Sequence, residues 1–231
     1  MLHVPCVLGS PIQRLLVAYH KARPDSRVRV GPPEKPLAML GQVRAETKLP
    51  GVAVTLGEVE MQSFAKAGVV EASQVRPLAR NAYRLAVIVP AEDEATRTVS
   101  DVAKLAHVAM EDPALSTLGA RAQQAFTKLG LWRKLEGKVV RFDPEKNVLS
   151  QLLEGKAEGA VVFEDCLLEG GTAPSTIRIV GTLPEATYTP IVYQIAPVKS
   201  PAPTKKVQEF LDFLASPEGK QALKQAGLTP P

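Results

Sequence analysis

The stretch Asn147–Cys166, NVLSQLLEGKAEGAVVFEDC, constrains the fold more than any other part of the chain. Val148, Leu149, Leu152 and Leu153 recur at helical spacing and predict one buried stripe. Gly155 ends that helix, and Gly159–Phe163 is a short apolar run typical of a strand covered on both faces. Glu164, Asp165 and Cys166 follow at once. A helix feeding a buried strand that ends in polar residues is a unit of an open α/β sheet, where ligands collect beyond the carboxyl ends of the strands.

The same unit recurs along the chain. Leu2–Leu8 reads as a strand. Ser10 and Pro11 read as the cap and first residue of a helix marked by Ile12, Leu15, Leu16 and Tyr19. Val28–Val30 is a second short strand, and GPPEKP (Gly31–Pro36) leads into a helix over 37–47. Val52–Leu56 is a strand followed by a helix from Glu58 to Ala67. This β-α-β-α-β-α order predicts a parallel sheet with crossover helices. A second series starts with Tyr83–Pro90 and runs through strands at Val108–Met110, Val139–Phe142 and Gly159–Phe163, with a helix at Thr117–Leu129. Gly170-Gly171-Thr172 reads as a hinge or loop. Ile177–Val180 and Ile191–Val198 read as strands, before two closing helices with Val207, Phe210, Leu211 and Leu214 on a buried face and Ser216-Pro217 opening the last.

With 231 residues the chain can bury a sizeable core as one large domain or two lobes. The charge of +4, from 28 basic against 24 acidic residues, is spread without a basic block, and 5% aromatic content gives no base-stacking surface. Nucleic acid is therefore not an expected partner. No apolar run approaches the roughly 18 residues of a membrane span. The opening Met1-Leu2-His3-Val4 lacks the regions of a signal peptide, so the protein is either cytoplasmic or has had such a segment removed. Cys6 and Cys166 fit no zinc-knuckle spacing.

Several strings in this order resemble the molybdate-binding proteins of ABC importers, within the type II periplasmic binding-protein class. They are DPALSTLGARAQQAFTKLGLW (Asp112–Trp132), LLEGKAEGAVVFEDCL (Leu152–Leu167), PIVYQIAPVK (Pro190–Lys199) and FLDFLASPEGKQALKQAGLTPP (Phe210–Pro231). ARNAYRLAVIVP (Ala79–Pro90) looks like the strand that crosses between lobes. The resemblance covers about 75–231 well and the earlier residues thinly. It implies an α/β fold of two lobes, each a mainly parallel sheet flanked by helices, closing over a ligand by hinge motion. Lobe 1 would comprise 1–85 plus 172–231, and lobe 2 would comprise 86–171. It further implies a monomer in the periplasm or cell envelope, its signal segment removed, that delivers its ligand to a membrane permease without a cofactor.

The resemblance also implies an oxyanion site. Ser10 matches the first-loop serine, Thr117, Leu118 and Gly119 match the helix-opening segment, Val162 matches a strand end that donates an amide, and Tyr193 matches the ligand tyrosine. Helix N-termini favour anions because their first N–H groups lack partners and carry partial positive charge. Gly31–Pro36 departs from the pattern: three prolines remove three donors and Glu34 adds negative charge. Losing two hydrogen bonds to an anion, at about 1.5–3 kcal/mol each, costs about two to four decades of affinity.

That departure motivates an alternative on the same scaffold, a transition-metal cation held by Cys6, Cys166 and Glu164, with Glu34, Glu58 and Asp165 as further oxygen donors. No G-x-S-x-G elbow, H-E-x-x-H, P-loop or dinucleotide fingerprint is present, and Cys166 has no histidine base beside it. The expected protein is a binder and not an enzyme.

Overall fold

The apolar stripes of the first and penultimate helices are buried as their period predicts, whereas in the 148–153 helix Leu152 is buried and Leu153 is 65% exposed. In a computed structural model of the chain, Ile12, Leu15, Leu16 and Tyr19 are the buried residues of the first helix. Val207, Phe210, Leu211 and Leu214 are likewise buried on the penultimate one. The structure describes residues 1–32, 34–46, 48–80, 83–142, 148–167, 174–202 and 204–231; the side chains of Cys6, Pro36, Leu37, Leu149, Asp165 and Cys166 lie outside that description. So do Pro33 of the proline-rich loop and the Gly170–Thr172 hinge.

In chain order the elements are β1 (Leu2–His3), α1 (Gly9–Ala22), α2 (Pro36–Ala45), β2 (Gly51–Thr55), α3 (Glu58–Lys66), β3 (Arg76–Arg80), β4 (Leu85–Pro90), β5 (Val108–Glu111) and α4 (Thr117–Lys128). They continue as α5 (Trp132–Leu135), β6 (Val139–Phe142), α6 (Val148–Leu153), β7 (Gly159–Phe163), α7 (Glu164–Leu167), β8 (Ile177–Thr182), β9 (Val192–Val198), α8 (Lys205–Ala215) and α9 (Pro217–Gln225). Ser216 caps α9 by accepting from the Gly219 amide at 3.1 Å, as its position before Pro217 predicts. Gly227 follows at φ 84°, a left-handed C-terminal residue that favours glycine.

The chain divides into two compact units, Met1–Asn81 with Ile191–Pro231, and Ala82–Pro190. In the first unit the described strands run β1-β2-β9-β3. β1 and β2 are parallel, while β9 is antiparallel to both β2 and β3. Its core gathers Leu15, Tyr19, Val54, Ile195, Phe210 and Phe213, with the Tyr19 ring edge-on to Phe210 at 5.0 Å. In the second unit the order is β6-β5-β7-β4-β8. β5 is parallel to β6 and β7, and β4 is antiparallel to β7 and β8. In each sheet the strands share one direction except one, β9 in the first and β4 in the second, so both are mainly parallel with a single antiparallel member.

Three local differences from the sequence reading have simple causes. The first strand stops at His3; Pro5 supplies no N–H, and Cys6–Leu8 winds into a 3₁₀ turn closed by the Leu8 amide on the Pro5 carbonyl at 2.9 Å. Only Val30 of the second short run pairs, as a single bridge to Leu2. The sequence places 172–190 in the first lobe; among the described residues of that stretch, β8 pairs with β4 along Ala86–Pro90, within the second unit.

Candidate functional site

The start of α1 in the first unit has no side-chain cap. Because the Cys6–Leu8 turn already winds the chain, the helix opens at Gly9 and Leu8 is its cap. Leucine has no acceptor, and no side chain caps this end. Ser10, expected as the cap, instead falls inside the first turn and is exposed. Gln13 and Arg14 stand one turn later on the same face, also exposed. The Arg14 guanidinium donates to the Ala226 carbonyl at 2.9 Å, which anchors its cation.

These groups open on a cavity of about 690 Å³ lined by Val4, Gly9, Ser10, Gln13, Arg14, Val30, Gly31 and Pro32. An uncapped helix start, a hydroxyl, an amide and a guanidinium together suit an anion. Gln13 and Arg14 were not singled out from the sequence, although their spacing of three and four from Ser10 places them beside it. The opening of about 680 Å³ in the second unit is walled by the side of α4 and residues 186–190, and its lysine, Lys128, is bonded to the Ala186 carbonyl at 2.7 Å.

The α4 end is built differently. Ser116 is its cap, accepting from the Gly119 amide at 3.3 Å and donating to the Glu111 carboxylate. The N–H expected from Gly119 is therefore engaged. Gly119 is also the point of closest approach to β5: a Cβ there would lie 2.1 Å from the Glu111 carbonyl oxygen. Thr117 and Leu118 are buried in the same turn.

Val162 pairs with Ala86 across β7 and β4. The Glu164 amide donates to the Arg84 carbonyl at 2.9 Å, and the antiparallel alternation then makes 162 and 86 the next mutually bonded pair. The Val162 N–H is thus spent in the ladder. Tyr193 sits in β9 opposite Ala79, 2% exposed and packed in the first unit's core.

Of the residues raised for a metal, Glu164 is paired with Arg84 at 2.5 Å, and Glu34 accepts from the Gln42 amide at 3.1 Å. The side chains of Cys6, Asp165 and Cys166 lie outside the described residues. Among the described residues no three His, Cys, Asp or Glu side chains gather as a metal site.

Two mixed sheets flanked by helices, one in each unit, make up the fold, and the α1 start opens into a pocket of the first unit. A family described as bacterial extracellular solute-binding protein matches residues 8–229, and the chain belongs to it. A putative ABC transporter substrate-binding lipoprotein of Bacillus subtilis, YvgL, is 29% identical over 147 residues, which is 63% of this chain and 55% of that protein. The molybdate-binding protein ModA of Rhodobacter capsulatus is 29% identical over 125 residues, 53% of this chain and 47% of its own length. The matched stretches thus span about half of these relatives.

Among solved structures, the periplasmic molybdate-binding protein of Azotobacter vinelandii has a TM-score of 0.63 at 19% identity, covering 100% of this chain and 98% of that one. Peb3 from Campylobacter jejuni has a TM-score of 0.65 at 13% identity, covering 100% and 99%. At these identities the likeness is one of fold.

Proposed function

We propose that this chain is the solute-binding component of an ABC importer and that its cargo is a molybdate- or tungstate-like oxyanion. The observation that carries the reading is the α1 start, where no side chain caps the first turn and Ser10, Gln13 and Arg14 face one pocket. A dianion there would take hydrogen bonds from the helix start and the Ser10 hydroxyl, with Arg14 supplying charge. Arg14 also offsets the donors that the prolines of Gly31–Pro36 withhold.

The relatives, a putative ABC transporter substrate-binding lipoprotein and two molybdate-binding proteins, support the same cargo and a location outside the cytoplasm. In this role the protein performs no catalysis and hands the ion to a membrane permease.

The test is a thermal-shift panel of molybdate, tungstate, sulfate and phosphate against zinc, copper and nickel. A ligand that binds only the folded state raises the Tm by mass action. Molybdate and tungstate should raise it, and Ser10→Ala should reduce the rise. A shift with the metal ions alone would overturn the reading.

A further inference from the structure

His3 is 3% exposed, and its Nδ1 has no hydrogen-bond partner among the described residues. Its other nitrogen, Nε2, lies 3.8 Å from Glu46 Oε2, too far for a hydrogen bond and close enough for strong attraction to a charge. That carboxylate oxygen is itself buried and has no hydrogen-bond partner among the described residues. Protonation of both nitrogens gives Glu46 a counter-charge, while the Nδ1–H stays without an acceptor among the described residues.

The ring is also next to the anion pocket. Gly31 lines that pocket, and a Cβ on Gly31 would stand 3.5 Å from His3 Nδ1 and 3.9 Å from Gln42 Oε1. Gly31 thus both lines the cavity and neighbours the imidazole. Gln42 in turn holds Glu34, within the same 31–36 loop.

We infer that His3 takes up a proton when an anion occupies the pocket walled by Gly31, so that proton binding and anion binding reinforce each other. This rests on the oxyanion reading of that pocket. The charged groups facing His3 are Glu46 at the end of α2, which favours the proton, and the Met1 ammonium ahead of β1, which opposes it; Arg29 acts on that ammonium. Burial dominates and holds His3 below its ordinary range in the free protein. An anion behind Gly31 adds the missing attraction. By reciprocity, lowering the pH must then tighten the anion.

The experiment is calorimetric titration of sodium molybdate and sodium sulfate into the full chain between pH 5.5 and 7.5, in buffers of different ionisation heat. The expected result is proton uptake on binding and an affinity about five- to tenfold tighter at the acid end. His3→Gln should bind with no uptake and no pH dependence. Glu46→Gln, which keeps the histidine and removes its counter-charge, should move the rise in affinity to lower pH. Anion binding without uptake, or pH dependence that survives in His3→Gln, overturns this inference and leaves the oxyanion reading standing. No binding of either anion at any pH overturns both.

Discussion

Replacing Gly119 by alanine separates packing from ligand contact at the start of α4, because the change keeps the peptide N–H and adds only a methyl group. That methyl would stand 2.1 Å from the Glu111 carbonyl oxygen, 2.8 Å from the Glu111 carbonyl carbon and 3.0 Å from that of Asp112. All three are main-chain atoms at the end of β5, so no rotamer change relieves the overlap and α4 must lift away from the sheet. Overpacking costs about 1–3 kcal/mol, and an obstruction made of backbone belongs at the top of that range. Alanine returns about 1 kcal/mol of helix propensity, leaving a net loss of about 2 kcal/mol. For a chain of this size that is a fall in Tm of about 4–8 °C. Differential scanning calorimetry measures it directly. An unchanged or raised Tm for Gly119→Ala would refute the close approach of α4 to β5.

Ser116→Ala removes the α4 cap and the hydroxyl that meets Glu111, and should cost about 1 kcal/mol in urea unfolding. Burial lowers the pKa of His3 in the folded state, so below its ordinary value the unfolded chain binds more protons; stability is present above that value and is lost as pH falls. Urea midpoints should therefore drop from pH 7 towards pH 5, with a shallower slope in His3→Gln. Arg84→Ala breaks the pair with Glu164, but Arg84 is 55% exposed, so the loss should stay below about 1 kcal/mol by the same unfolding assay.

Periodicity was enough for α1, α4, α8 and the buried runs of β2, β4 and β7, because each has an unbroken apolar pattern of one period. β3 escaped it: Arg76–Arg80 alternates weakly and becomes a strand only because β9 offers its edge, a long-range cause with no local trace. Strand direction was equally hidden, since β9 and β4 carry the same apolar composition whichever way they pair. At the site, Ser10 was legible as a residue but not in its role, because the turn at Cys6–Leu8 shifts the helix start and makes Leu8 the cap. Arg14 was one turn away and went unread, as an exposed arginine on a helix carries no motif. Gly119 was legible as a helix-opening residue, while its reason for being glycine lies in the backbone of β5.

The central claim is that the α1 start, with Ser10 and Arg14, holds an oxyanion. Isothermal titration of sodium molybdate into the wild type and Ser10→Ala addresses it most directly. The account predicts saturable binding, displaced by tungstate, with the variant weaker by about ten- to a hundredfold, the worth of one hydrogen bond to a charged ligand. Equal affinity in the two proteins, or no heat of molybdate binding in either, would contradict it.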